Sequence, residues 1–150
     1  MNFISQEMLP LVLALISGVL MAVQGSLNSA LSKVIGLLEA TFMVHITGTI
    51  VVMLLLFIFK MGKGNLYVWP DAPWYSWLGG IIGVGIIYLV AASIPSVGVA
   101  NATTAIIVGQ VLTAIIIDHF GGFGLERITC SPKQILGLVL LATGAKFLLK

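Results

Sequence analysis

Long apolar runs alternate with short polar breaks along the whole chain. A helix that crosses a bilayer needs about 20 mostly apolar residues. Five segments reach that length: Met8 to Leu31, Leu37 to Phe59, Trp74 to Ser93, Val97 to Ile117 and Pro132 to Leu149. The breaks read SKVIG, KMGKGNLYVWPDAP, IPSVG and FGGFGLERITCSP, and charged residues fall almost entirely in or beside them. Only helices and closed barrels pair all their backbone polar groups inside a bilayer, and apolar runs this long predict helices. The second break holds Tyr67, Trp69, Trp74 and Tyr75, rings suited to the headgroup layer. The pattern predicts an all-α polytopic membrane protein, one domain over residues 1–150 with five transmembrane helices and no soluble domain.

Composition strengthens that picture. The chain is 59% hydrophobic and 8% charged, against about 25% charged in soluble domains. Its mean hydropathy is +1.16, so lipid is its expected solvent. Seven basic and five acidic residues leave a net charge of +2, too weak and scattered for a nucleic-acid footprint. The lone Cys130 excludes an internal disulfide framework. The N-terminal segment carries Glu7 and no basic residue, unlike a signal peptide, and is expected to stay as a helix. Five spans put the termini on opposite sides. Lys60, Lys63, Arg127 and Lys133 then face Lys33, Lys146 and Lys150 across the membrane. That near-balance gives almost no orientation signal and suggests insertion both ways.

Polar residues inside the apolar runs are the candidates for chemistry. In the first segment, Ser17, Met21, Gln24 and Asn28 follow a spacing that places them on one helical face. Beside them lies a row of small residues, Gly18, Ala22, Ser26 and Ala30. Small residues let helices approach closely in lipid, where no hydrophobic force drives association. The amides fit two roles, hydrogen bonds to neighbouring helices or the lining of a cavity. Glu39 opens the second segment, where the helix macrodipole favours a carboxylate. Alternatively it dips into a cavity, where burial would favour its neutral form and allow proton exchange for a cationic substrate. His45 reads as a packing residue.

The third segment carries Gly79 and Gly83 at GxxxG spacing, expected to pack helices closely. In the fourth, Thr103, Gln110 and Thr113 form a polar stripe beside a small face of Gly98, Ala102, Ala105 and Gly109. Asp118 and His119 end that span; adjacent helical residues diverge by about 100°, so the pair is not expected to catalyse, and Asp118 is expected to hydrogen-bond at the interface or cap the FGGFG turn. Gly137 and Gly144 form a packing seam in the fifth segment, with Lys146 and Lys150 snorkelling outward.

Taken in order, Gln24-x-x-x-Asn28, Gly48 of ITGTI, WLGGIIGVG, Gly109-Gln110, Asp118-His119-Phe120-Gly121 with Gly124, and the final LGLVLLATGAKFL resemble the YdcZ-like family of the drug/metabolite transporter superfamily. The Gly-Gln and Asp-His-Phe-Gly motifs are the most specific parts, and the resemblance spans essentially the whole chain. It implies a five-helix unit of the bacterial inner membrane that works as a pair, a homodimer or two related chains, in opposite orientations. Glu39 is not part of the family pattern.

The expected function is secondary transport of a small molecule by an antiparallel dimer with an inverted-repeat architecture and a site near the bilayer midplane. Gln24, Asn28, Gln110 and Glu39 are the expected substrate-binding residues, with proton-coupled export as the finer reading. A channel is the first rival, weakened by the lack of a charged ring or carbonyl filter. A non-transporting membrane partner subunit is the second. No metal-ligand cluster or nucleophile–base pair points to an enzyme, and no cofactor or metal is expected. The expected partners are the lipid bilayer, a second chain and a small-molecule substrate.

Overall fold

In the computed structural model the backbone is described for residues 3–149 and the side chains for residues 8–149. The chain is all-helical, with no strand among the described residues. Five α-helices run in order: α1 Phe3–Ile35, α2 Leu37–Met53, α3 Leu78–Val97, α4 Val99–Phe120 and α5 Pro132–Leu148. The described residues group into two compact units, one ending at Pro95 and the other starting at Ser96.

Four helical stretches are long and apolar enough to cross a membrane among the described residues: Met8–Ile35, Leu37–Ile58, Trp74–Val97 and Val99–Phe120. The first, at 28 residues, is about 42 Å long and exceeds the roughly 30 Å hydrocarbon layer. The fifth expected span is helical, but α5 has 17 residues and falls below the other four in length.

Breaks between helices are shorter than the polar letters suggest. SKVI stays helical, and the first break is Gly36 alone, at φ 101°. The expected IPS turn is also helical: Pro95 lies inside α3, and the break is Gly98, at φ 83°. Both angles lie where glycine alone is free of a Cβ clash. The fourth helix likewise passes its expected end and closes at Phe120, with Gly121 in the left-handed conformation. α2 ends in a wider turn, Leu54–Ile58, where the Phe59 N–H reaches the Leu54 carbonyl at 2.9 Å. Ser131 and Gln134 form a reciprocal cap at the start of α5, with Pro132 at its first position, where a missing N–H costs nothing. In the aromatic loop, Trp69 and Trp77 stack edge to face at 4.6 Å, and Tyr67 is exposed.

Burial is inverted relative to a soluble protein. Among the described residues, those buried are Gly25, Asn28, Ser29, Ala40, Thr41, Ala91, Ala102 and Ala145, with Ile94 the one bulky member. Leu, Ile, Val and Phe side chains cover the outside, including every bulky residue from Met8 to Leu20. Such a surface is stable only against lipid, and its small interior residues allow the close approach that holds membrane helices together.

Within the first unit, Gly25 makes that approach. A Cβ added there would lie 2.9 Å from Val90 Cγ1 and 3.2 Å from Ile94 Cδ1 of α3. Gly25, Asn28 and Ser29 are buried on α1. The packing face is therefore turned by about one residue from the Gly18, Ala22, Ser26 and Ala30 row. Among the described residues, no atom beyond the local helix backbone comes within 4 Å of a Cβ at Gly18, Gly79, Gly83, Gly109, Gly137 or Gly144. A row of small residues signals that something can approach closely, but not which helix or which chain does so.

Candidate functional site

Several hydroxyls in the helices are already satisfied by their own backbone. Ser17, Ser26, Ser32, Thr41, Thr47, Ser93 and Thr143 each donate to a carbonyl three or four residues earlier, at 2.7–3.0 Å. Such bonds leave a helix free of unmet donors. The amides of Gln24, Asn28 and Gln110 have no such short-range acceptor on their own helix, and neither do the side chains of Thr49, Asn101, Thr103 and Thr113.

Two open hollows lie in the first unit along α2. One, of about 440 Å³, is lined by Gln24 of α1, by Val44, His45, Gly48 and Thr49 of α2, and by Ile87 of α3, among others. The other, of about 500 Å³, is lined by Leu38, Glu39, Thr41, Phe42 and His45 of α2 with Val84 of α3. Both fall in the size range of small-molecule sites, mostly apolar with a few polar groups. His45 lines both. The second unit has an apolar hollow of about 480 Å³ between α4 and α5, lined by Thr104, Ile107, Leu140, Leu141, Gly144, Ala145 and Leu148.

The expected site residues are therefore divided. Gln24 and Glu39 line neighbouring hollows. Asn28, one turn beyond Gln24, is 7% exposed and lines neither. Gln110 is exposed on α4, in the other unit. Glu39 itself is exposed, and its carboxylate folds back over Gly36, where a Cβ would collide with it. An acidic group held there sits against the unpaired N–H groups that open α2, a favourable place for negative charge.

His45, which the letters assign to packing, lines both hollows. Its Nδ1 lies 2.8 Å from the Thr41 carbonyl oxygen. A carbonyl only accepts, so Nδ1 carries the hydrogen, and Nε2 of the neutral ring is an acceptor. The signal was present in the sequence: His45 is the ninth residue of the Leu37–Ile58 span, and an ionisable residue inside a span is a functional candidate by default.

Asp118 and His119 close a turn, though through other atoms than a capping carboxylate. The Asp118 carbonyl accepts from the Gly121 N–H at 3.3 Å and the Ile128 N–H at 2.8 Å. His119 Nδ1 accepts from the Cys130 N–H at 3.2 Å, and the His119 carbonyl accepts from Arg127 Nε at 2.9 Å. Among the described residues no cluster of three potential metal ligands occurs.

An all-helical chain with bulky apolar groups outside and small residues inside is an integral membrane protein. The family model DMT_YdcZ, "Putative inner membrane exporter, YdcZ", matches residues 9–147. The chain belongs to that family and is an inner-membrane protein of the transporter class rather than an enzyme. No curated protein and no solved structure is similar enough to match it.

Proposed function

We propose that the chain is one half of a small-molecule exporter, a five-helix unit that pairs with a second unit in the opposite orientation. The observation that carries this reading is the pair of hollows along α2, which gather Gln24, His45 and Glu39 on an otherwise apolar surface. Gln24, Asn28 and Glu39 supply polar groups of the path in the first unit, and Gln110 supplies one in the second. α5 is the fifth span. Its 17 residues extend about 25 Å, at the short limit for crossing, and Lys133 and Lys146 near its ends can snorkel to either surface. The open faces at Gly79, Gly83, Gly109 and Gly137 are where the second unit packs.

Glu39 couples export to protons in this reading, exchanging a proton for substrate at the mouth of its hollow. Proteoliposomes test the reading: a carrier shows saturable flux stimulated by substrate on the opposite side. Gln24→Ala and Asn28→Ala should each lower that flux about tenfold with the fold intact, as expected when a hydrogen bond to a bound polar group is lost. Glu39→Gln should flatten its pH dependence while leaving substrate-for-substrate exchange. Parental flux in both alanine variants sinks the path assignment, and unitary currents in place of saturable flux sink the carrier.

A further inference from the structure

The histidine shared by the two hollows has a fixed chemistry. Nδ1 is tied to the Thr41 carbonyl at 2.8 Å, which holds that edge of the ring against α2 and leaves Nε2 at the opposite edge. A histidine that only packs would be expected to satisfy both nitrogens, because an unmet polar atom away from water is costly. Here the ring is half-buried and lines open space on two sides. It lies about 12 Å along its span from Leu37.

The surroundings select what can meet Nε2. An acceptor requires a donor. Glu39 is the charged residue lining either hollow, and it is negative when ionised. Every other lining group except Gln24, Thr41 and Thr49 is apolar; Thr41 already donates to Leu37 at 2.9 Å. A cation bearing N–H donors and an apolar body matches this set; an anion meets a carboxylate and a lone pair.

We infer that His45 is a ligand-binding residue whose Nε2 accepts a hydrogen bond from the ammonium group of an amphiphilic amine seated in the hollows beside it. The inference takes its purpose from the export reading, naming that reading's substrate class, but it is tested by binding alone.

The probes are phenethylamine and its N,N,N-trimethyl analogue, which keeps the charge and the ring but has no N–H. Binding is measured by equilibrium dialysis against the full chain in nanodiscs of neutral lipid. The wild type should bind phenethylamine, and His45→Phe, which keeps a ring, should weaken it about 10- to 100-fold. His45→Gln, whose side-chain carbonyl can still accept, should restore most of the loss. The trimethyl analogue should bind wild type and His45→Phe equally. Should His45→Phe fail to fold, nitrogen-15 NMR of histidine-labelled wild type gives the answer directly: phenethylamine should shift one Nε2 resonance and the trimethyl analogue should not. Absence of amine binding to wild type, equal losses for both probes, or an unmoved resonance overturns the inference. Histidine-dependent binding without flux in proteoliposomes leaves the site standing and removes the export reading. Flux of another solute without amine binding does the reverse.

Discussion

Gly36 is constrained by its backbone angle, with a movable carboxylate beside it. Its φ of 101° disfavours any side chain, and the Glu39 carboxylate occupies the space a Cβ would need. Gly36→Ala should therefore destabilise the first unit by about 1–3 kcal/mol, the cost of a strained backbone position, read as a shift in the unfolding midpoint of reconstituted protein. Gly48, with open space beside it, is the control, and Gly48→Ala should change stability by less than about 0.5 kcal/mol. Equal effects would mean that the backbone angle at Gly36 contributes nothing. At this scale the letters were uneven guides. Gln24 and Glu39 stood out because polar residues in apolar runs need a reason, and both line hollows. His45 did not stand out, because the tie to Thr41 that exposes its second nitrogen depends on the ring's rotamer.

Among the elements, helix identity was legible and helix ends were not. All five helices lie where the apolar runs predict them, four of them at membrane length among the described residues. The ends of α1, α3 and α4 overshoot because Ser32, Lys33, Pro95, Ser96, Asp118 and His119 read as breakers, yet each can sit in a final helical turn. There the carbonyls are unpaired in any case, and a lysine or histidine is favoured by the dipole. Within this chain α1 meets α3 through Gly25, one residue round the helix from the Gly18 row. Gly25→Leu tests the observed face: with Val90 2.9 Å from a Cβ, the larger side chain should push α3 away and cost about 1–3 kcal/mol, as overpacking does. Gly18→Leu adds the same side chain on an open face and should leave the stability of the single chain within about 0.5 kcal/mol of wild type. If the two variants lose equal stability, Gly25 is not the contact that holds α1 to α3.

For the whole molecule, a lipid-solvated all-helical protein could be read from composition alone, since 8% charged residues cannot cover a water-facing surface. Orientation could not, because the loop charges nearly balance. Cys130 offers the measurement. If insertion is evenly split, a membrane-impermeant maleimide should label roughly half of the molecules in intact cells and the remainder after permeabilisation. The thiol is half-buried, and the Cys130 N–H is held by His119, so a denatured sample must define full labelling. Uniform labelling, or none, in intact cells would mean one orientation and a separately encoded partner. The inverted burial has a consequence for how such a chain can change over generations. Its bulky residues meet fluid lipid, which accepts leucine, isoleucine, valine or phenylalanine alike, so the greater part of the sequence is free to drift without harm. The restricted positions are the small and weakly polar ones, Gly25, Asn28, Ser29, Ala40, Thr41 and Ala91. Relatives of this chain should therefore resemble one another in their alanines, glycines and serines while differing in the large side chains that a water-soluble protein would keep.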